Sequence, residues 1–137
     1  MKKRNKNLLE LRGMLCSIMA EYSSEITAAA RKLPLKKDVK TASEYRSYSD
    51  EIINRKISQY RDKIYDALVA EDFRKMYPKM NKVAALPHSS MDKCIIFMIG
   101  MGLEPNEMAR MLISDKRTIM TIRSKRKEDI QSIFSGY

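Results

Sequence analysis

Six basic side chains fall between positions 116 and 127: Lys116, Arg117, Arg123, Lys125, Arg126 and Lys127, with no acidic residue among them. Interleaved are the hydroxyls of Thr118, Thr121 and Ser124 and the flexible apolar side chain of Met120. Cations can neutralise phosphates, hydroxyls can bond to phosphates or base edges, and a thioether can lie against a thymine methyl. On a helix, Ile119 and Ile122 form an inward pair three residues apart. That leaves Lys116, Arg117, Met120, Thr121, Arg123, Ser124 and Lys127 outward. The residues at the N-terminal end of such a helix reach bases most directly, and Arg123, Arg126 and Lys127 are placed for backbone contacts.

A surface of this kind needs a rigid scaffold, and the preceding residues read as one. Ser89 or Ser90 can cap a helix over Met91–Met101, with Asp92 as a weak capping partner for Ser89. Cys94, Ile95, Met98 and Met101 face inward on it. Ile96, Phe97 and Ile99 make it apolar around most of its circumference, so it is expected between other helices or against a partner. Gly102 can take the left-handed conformation that ends a helix. Glu104 then stands at an N-cap, Pro105 at the first helical position and Glu107 in a first turn that favours negative charge. Met108, Ala109 and Leu112 are the buried side of this second helix, Ala109 being small enough for a close, steep crossing. Asp115 caps a third helix, expected over about 115–130, and Glu128 and Asp129 close its cationic patch. The pattern is a helix-turn-helix.

Upstream, Leu8, Leu11, Leu15, Ile18, Tyr22 and Ala29 follow a three-four spacing over 8–33, interrupted at Glu25-Ile26. The stripe is narrow, as in a coiled-coil seam or helical hairpin, and Pro34 ends it. A basic connector, 35–41, leads to a second long helix expected from about Ala42, capped by Thr41 or Ser43, to Tyr77, where Pro78 stops it. Ile53, Ile57, Tyr60, Ile64 and Ala67 form its stripe, widened by Ile52, Leu68 and Phe73. Five of the seven tyrosines lie on it, and packing explains them better than base stacking. A short helix, 79–86, follows. Pro87-His88-Ser89-Ser90 is the clearest loop in the chain. The expected division is a helical region, 1–86, and a helix-turn-helix domain, 87–137.

The composition is that of one helical domain or of a small domain with an extended element. Of 137 residues, 44% are hydrophobic and 32% charged, with four Gly and four Pro, too few breakers for an all-β fold. Eleven Met and no Trp suggest adaptable apolar contacts rather than a rigid aromatic core. The net charge of +10 points to a polyanionic partner, nucleic acid or an anionic membrane surface. Cys16 and Cys94 fall in apolar helical patterns and read as buried, reduced thiols of a cytoplasmic protein. Met1-Lys2-Lys3-Arg4 looks like the start of a signal peptide, but Glu10 and Arg12 interrupt the apolar segment that should follow. The longest apolar run, Cys94–Leu103, is about half the length a bilayer requires. His88, the single histidine, has no carboxylate or Cys beside it in sequence. No Gly-rich phosphate loop, HExxH, GxSxG or spaced carboxylate pair occurs, so no enzymatic activity, metal or cofactor is expected.

The segment from Gly102 to Ile119 resembles the LuxR-type C-terminal helix-turn-helix, on Gly102, Leu103, Glu104, Glu107, Met108, Ala109, Leu112, Asp115, Thr118 and Ile119. It departs from that pattern at Glu104 and Asp115, which replace cap serines, and at Met120, where a basic residue is common. A narrower resemblance, carried by Tyr77-Pro78, Cys94–Leu103, Thr118-Ile119 and Arg123-Ser124-Lys125, is to the cytoplasmic end of Bacteroidetes transmembrane transcriptional regulators. It implies a coiled coil in 8–33 and 42–77. It also implies that the chain is either the cytoplasmic part of a membrane-tethered parent protein, with 1–4 as a positive-inside flank, or a stand-alone relative. The expectation is an all-α protein with long N-terminal helices, as a hairpin or coiled coil, followed by a three-helix helix-turn-helix domain. It would bind double-stranded DNA sequence-specifically in transcriptional regulation and form a homodimer through 8–77. The expected contacts are Lys116, Arg117, Thr118, Met120, Thr121, Arg123, Ser124, Arg126 and Lys127. The competing expectation is a helical protein–protein interaction module whose helix-turn-helix does not bind DNA.

Overall fold

The computed structural model describes residues 2–32 and 42–134, and it is all-α. The Pro34 stop, the 35–41 connector and Thr41 as a cap lie outside the described residues, as do the side chains of Ile26, Ala29, Tyr45 and Tyr48. Eight helices follow in order among the described residues: α1 Lys2–Lys32, α2 Ala42–Leu68, α3 Glu71–Met76, α4 Lys79–Ala84, α5 Ser90–Met101, α6 Pro105–Met111, α7 Lys116–Lys125 and α8 Lys127–Ile133.

Helices α1 and α2 pack against each other within the chain. Tyr22 of α1 lies 6.4 Å from Tyr60 of α2, ring centre to ring centre. Asn7, nearer the start of α1, meets Tyr77 just beyond α3, whose hydroxyl donates to its carbonyl at 3.4 Å. As numbers rise along α1 those of its partners fall, so the chain doubles back on itself. The stripe expected to form a seam is used inside this hairpin: Leu11 and Leu15 are buried, and Leu8, Ile18 and Tyr22 pack partly buried around them.

Two expected helices are shorter than their apolar periodicity suggests. The second long helix ends at Leu68, and Ala70 takes an extended conformation before α3. No Gly or Pro marks this break. Glu71 and Asp72 do, since acids in a first turn meet the positive end of the helix dipole. Arg74 turns back to donate to the Val69 carbonyl at 2.7 Å. The break brings Phe73 and Tyr77 onto Phe97 of α5, with ring centroids 5.5 and 6.3 Å away. Phe134 joins them at 6.0 Å. The core therefore does hold an aromatic cluster, despite the methionine-rich composition.

The expected 115–130 helix is likewise divided. Arg126, with φ −105° and ψ 15°, separates α7 from α8, and α8 turns inward to bury Ile130 and Ile133.

Helix α5 is the centre of the packing, touching α2, α4, α6, α7 and α8. Its residues Cys94 to Ile99 are all buried, as the apolar circumference requires. One continuous cluster of buried side chains runs from Leu11 to Phe134, so the segments on either side of Pro87 share a core. His88, without a neighbouring acid in sequence, meets Asp129 of α8 at 2.8 Å through Nε2. A carboxylate only accepts, so the imidazole donates, and the 87–90 loop is fastened to α8. Lys93 donates to the Ala84 carbonyl at 2.8 Å on the other side of the loop. Cys94 is buried, which pushes its thiol pKa up to about 12. Cys16 is exposed, contrary to expectation, because it lies just beside Leu15 on the outer flank of the stripe. Among the described residues no helix is long and apolar enough to cross a membrane.

Candidate nucleic-acid interface

The surface is built from α5, α6 and α7, and each junction is made by the residues whose chemistry suits it. Ser89 caps α5, accepting from the Asp92 N–H at 3.2 Å. At its other end Gly102 has φ 105°, a left-handed conformation. The Gly102 N–H donates to the Ile99 carbonyl and the Leu103 N–H reaches back five residues to Met98, both at 3.0 Å. This is the Schellman arrangement, which uses up carbonyls a helix end leaves over. Pro105 opens α6, and Glu107 reaches back to the Glu104 N–H at 3.2 Å.

The turn between α6 and α7 repeats the Schellman pattern without a glycine. The Ser114 N–H donates to Ala109 O at 2.9 Å and the Ile113 N–H to Arg110 O at 3.4 Å. Ile113 takes the left-handed position with φ 50°, uncommon for a β-branched residue. Asp115 then caps α7, accepting from the Thr118 N–H at 2.6 Å. That bond, first among its causes, holds the Asp115 carboxyl below the usual carboxylate range.

Both ends of α6 are also held by side chains of the hairpin, far away in sequence. Arg12 of α1 donates through Nε and Nη2 to the two oxygens of Glu107, each at 2.8 Å. This two-pronged bond keeps Glu107 below its ordinary pKa. At the other end, the Tyr60 hydroxyl donates to the Met111 carbonyl. Arg61 donates to Leu112 O at 2.7 Å and to Ile113 O at 2.6 Å. Burial pushes the Tyr60 pKa up to about 12.

Helix α7 places most of the expected contact residues together on the outside. Ile119 is fully buried and Ile122 partly so. Lys116, Arg117, Thr118, Met120, Thr121, Ser124 and Lys127 are exposed, and Arg123 is half-exposed. Lys125, inside the cationic run but not expected as a contact, is exposed too. Thr121 donates back to the Arg117 carbonyl at 2.9 Å, and Arg123 Nη1 lies 3.9 Å from Met120 Sδ, so side chains along this face touch one another. Arg126 stands apart from the group. Its Nε and Nη2 each lie 2.9 Å from Asp92 Oδ2, on α5, which turns it into a brace between helices. Among the described residues, no salt bridge ties Lys116, Arg117, Arg123, Lys125 or Lys127 to an acid.

Arg12, Tyr60 and Arg61 escape sequence reasoning. They lie 95, 51 and 51 positions from their partners Glu107, Met111 and Leu112, and two of those partners are carbonyls, whose acceptance leaves no trace in residue type. Comparison of the chain with protein-family models, curated proteins and solved structures finds no match.

Proposed function

We propose that the chain binds double-stranded DNA sequence-specifically through α7 and acts in transcriptional regulation. The observation that carries this reading is the outer surface of α7 and the start of α8, where the cations of Lys116, Arg117, Lys125 and Lys127 stand exposed beside Thr118, Met120, Thr121 and Ser124. Phosphate binding needs unneutralised cations, and base readout needs hydroxyls and apolar groups within the same footprint. A capped helix anchored by Ile119 can enter a major groove with its N-terminal turn leading. The apolar circumference of α5, the feature that favoured a protein-interaction module, is used up inside the chain's own core.

One small recognition surface makes few base contacts, so the proposal includes a homodimer through residues 8–77, presenting two α7 helices about 34 Å apart. Because Leu11 and Leu15 are buried within the hairpin, such a dimer must use residues that the hairpin leaves outside, such as Leu9 and Met76.

The test is a salt titration on duplex DNA, with selection from a random-sequence pool. Site preference with a steep loss of affinity in salt is the expected result, and a slope without preference is the mark of diffuse charge alone. Replacing Arg117 and Arg123 together by Ala should reduce the slope of log K against log salt by on the order of two. Unchanged duplex binding in that variant would sink the proposal.

A further inference from the structure

We infer that Arg61, with Tyr60 beside it, is a positioning residue for the α7 surface, acting through the turn that launches that helix. The inference rests on the reading of α7 as the contact surface, although the positioning itself can be measured without DNA. Three successive carbonyls lie at the C-terminal end of α6 and just beyond it, at Met111, Leu112 and Ile113. The Tyr60 hydroxyl takes the first, and the Arg61 guanidinium takes the second and third at 2.7 and 2.6 Å. Met111 ends the helix and Leu112 is its C-cap, where carbonyls are left without a partner within the helix and a cation suits the dipole, and Ile113 follows directly after them.

After Ile113 only Ser114 and the cap Asp115 precede α7. A change in the direction of the chain at 112–113 is therefore passed directly to the N-terminal turn of α7, the part of the surface farthest from the Arg126–Asp92 brace. Ile113 sits at φ 50°, a conformation that a β-branched residue keeps only when its surroundings hold it there. The carbonyl of that same residue is one of the two that Arg61 grips. Tyr60 is 1% exposed and cannot itself touch a ligand. Arg61 spends its planar fork on backbone, a geometry that a lysine ammonium does not reproduce.

The experiment uses the full chain with Arg61→Met, which keeps an unbranched apolar stem, Arg61→Lys, which keeps charge and length, and Arg117→Ala as a contact control. Three quantities are read: amide hydrogen exchange at Ser114–Ile119 in the free protein, the salt slope, and the ratio of affinities for a duplex selected by the wild type and a scrambled duplex. Loss of the fork should speed exchange at Ser114–Ile119 while the amides of α5 keep their rates. It should also reduce the affinity ratio roughly fivefold or more, the scale of coupling between linked sites. The salt slope should stay as it is, since Arg61 touches no phosphate, and Arg61→Lys should recover only part of the loss. Arg117→Ala should do the reverse, lowering the slope and leaving exchange alone. Wild-type exchange and wild-type discrimination in both Arg61 variants would overturn the inference, and the Lys variant decides if the Met variant does not fold. If the wild type shows no site preference, the DNA reading of α7 fails. Exchange at Ser114–Ile119 then decides the positioning alone: faster exchange supports it and unchanged exchange overturns it.

Discussion

Gly100 of α5 and Phe134, just after α8, occupy a space that would not admit one more carbon. A Cβ on Gly100 would lie 2.2 Å from the Phe134 ring at Cδ2 and 2.4 Å from its Cγ. The clash reaches the root of the ring, so a rotation of its far edge would not relieve it. Gly100 therefore lets the end of the chain close over α5, with Phe134 5% exposed and in contact with Phe97. Gly100→Ala is expected to lower stability by about 3 kcal/mol, the upper range for overpacking. Denaturant unfolding of Gly100→Ala, Phe134→Leu and the double variant checks this. The double variant should be more stable than the sum of the single losses implies. Strict additivity would show that the two sites do not share the space.

Acid should weaken the link between α1 and α6. Arg12 holds the Glu107 carboxyl below its ordinary value, first through the side-chain hydrogen bonds. A carboxylate with a depressed folded pKa contributes stability in full above the unfolded value of about 4.3, and the contribution is lost as pH falls through the lower, folded value. Wild type should therefore exceed Arg12→Met in stability at neutral pH, with the gap closing in that acid window. The gap should be at most about 1 kcal/mol, because solvent screens a pair whose Arg12 side chain is 36% exposed. Thermal unfolding from neutral pH down to pH 3 measures it. A gap that stays constant would mean Arg12 acts by packing alone.

The turn residue Ile113 should be replaceable with profit to stability. A left-handed conformation costs an L-residue roughly 1–2 kcal/mol, and glycine avoids this at the expense of about 0.5–1 kcal/mol of chain entropy. Ile113 is 39% exposed, so the packing of the covered part of its side chain is set against this relief. Ile113→Gly should raise stability by up to about 1 kcal/mol in chemical denaturation. A clear loss would show that the covered part of its side chain outweighs the strain.

What the sequence made legible was local, and what it hid was long-range. The caps at Ser89, Asp115 and Gly102 and the inward Ile119 are decided within a few residues by hydrogen-bonding groups and helical period, and they stand where expected. The ends of α2 and α7 were harder to read. Periodicity runs on past Leu68 and Lys125 because both sides of each break bury apolar residues, and only the acid pairs Glu71-Asp72 and Glu128-Asp129 mark the new starts. The partner of His88 and the grip of Arg12, Tyr60 and Arg61 depend on tertiary approach. Composition cannot reveal such contacts. The exposure of the residues expected as contacts followed from helical spacing, and Arg126 differs because Asp92 on α5 binds it.

Arg126 and Lys127 are adjacent in sequence and look interchangeable as phosphate contacts, yet they should behave in opposite ways. Arg126 is 29% exposed, and both of its bonds to Asp92 are 2.9 Å, so its cation is already matched inside the fold. Removing it leaves the Asp92 carboxylate, 16% exposed, without that partner. Arg126→Ala should therefore cost about 1–2 kcal/mol of stability, in the range for a charged, partly buried hydrogen bond. Its effect on the salt dependence of DNA binding should be small, since a neutralised cation releases few counterions from a phosphate. Lys127 is exposed at the start of α8. Lys127→Ala should leave unfolding within about 0.5 kcal/mol of wild type, as for an ordinary surface position. On the proposed DNA contact it should reduce the salt slope by about 0.9, the share of one phosphate. Denaturant curves and salt titrations of the two variants, run in parallel, give four numbers. The proposed division of labour predicts a loss of stability from one variant and a loss of slope from the other. If both variants lose slope equally, Arg126 leaves Asp92 to reach the phosphates, and its role as a brace is wrong.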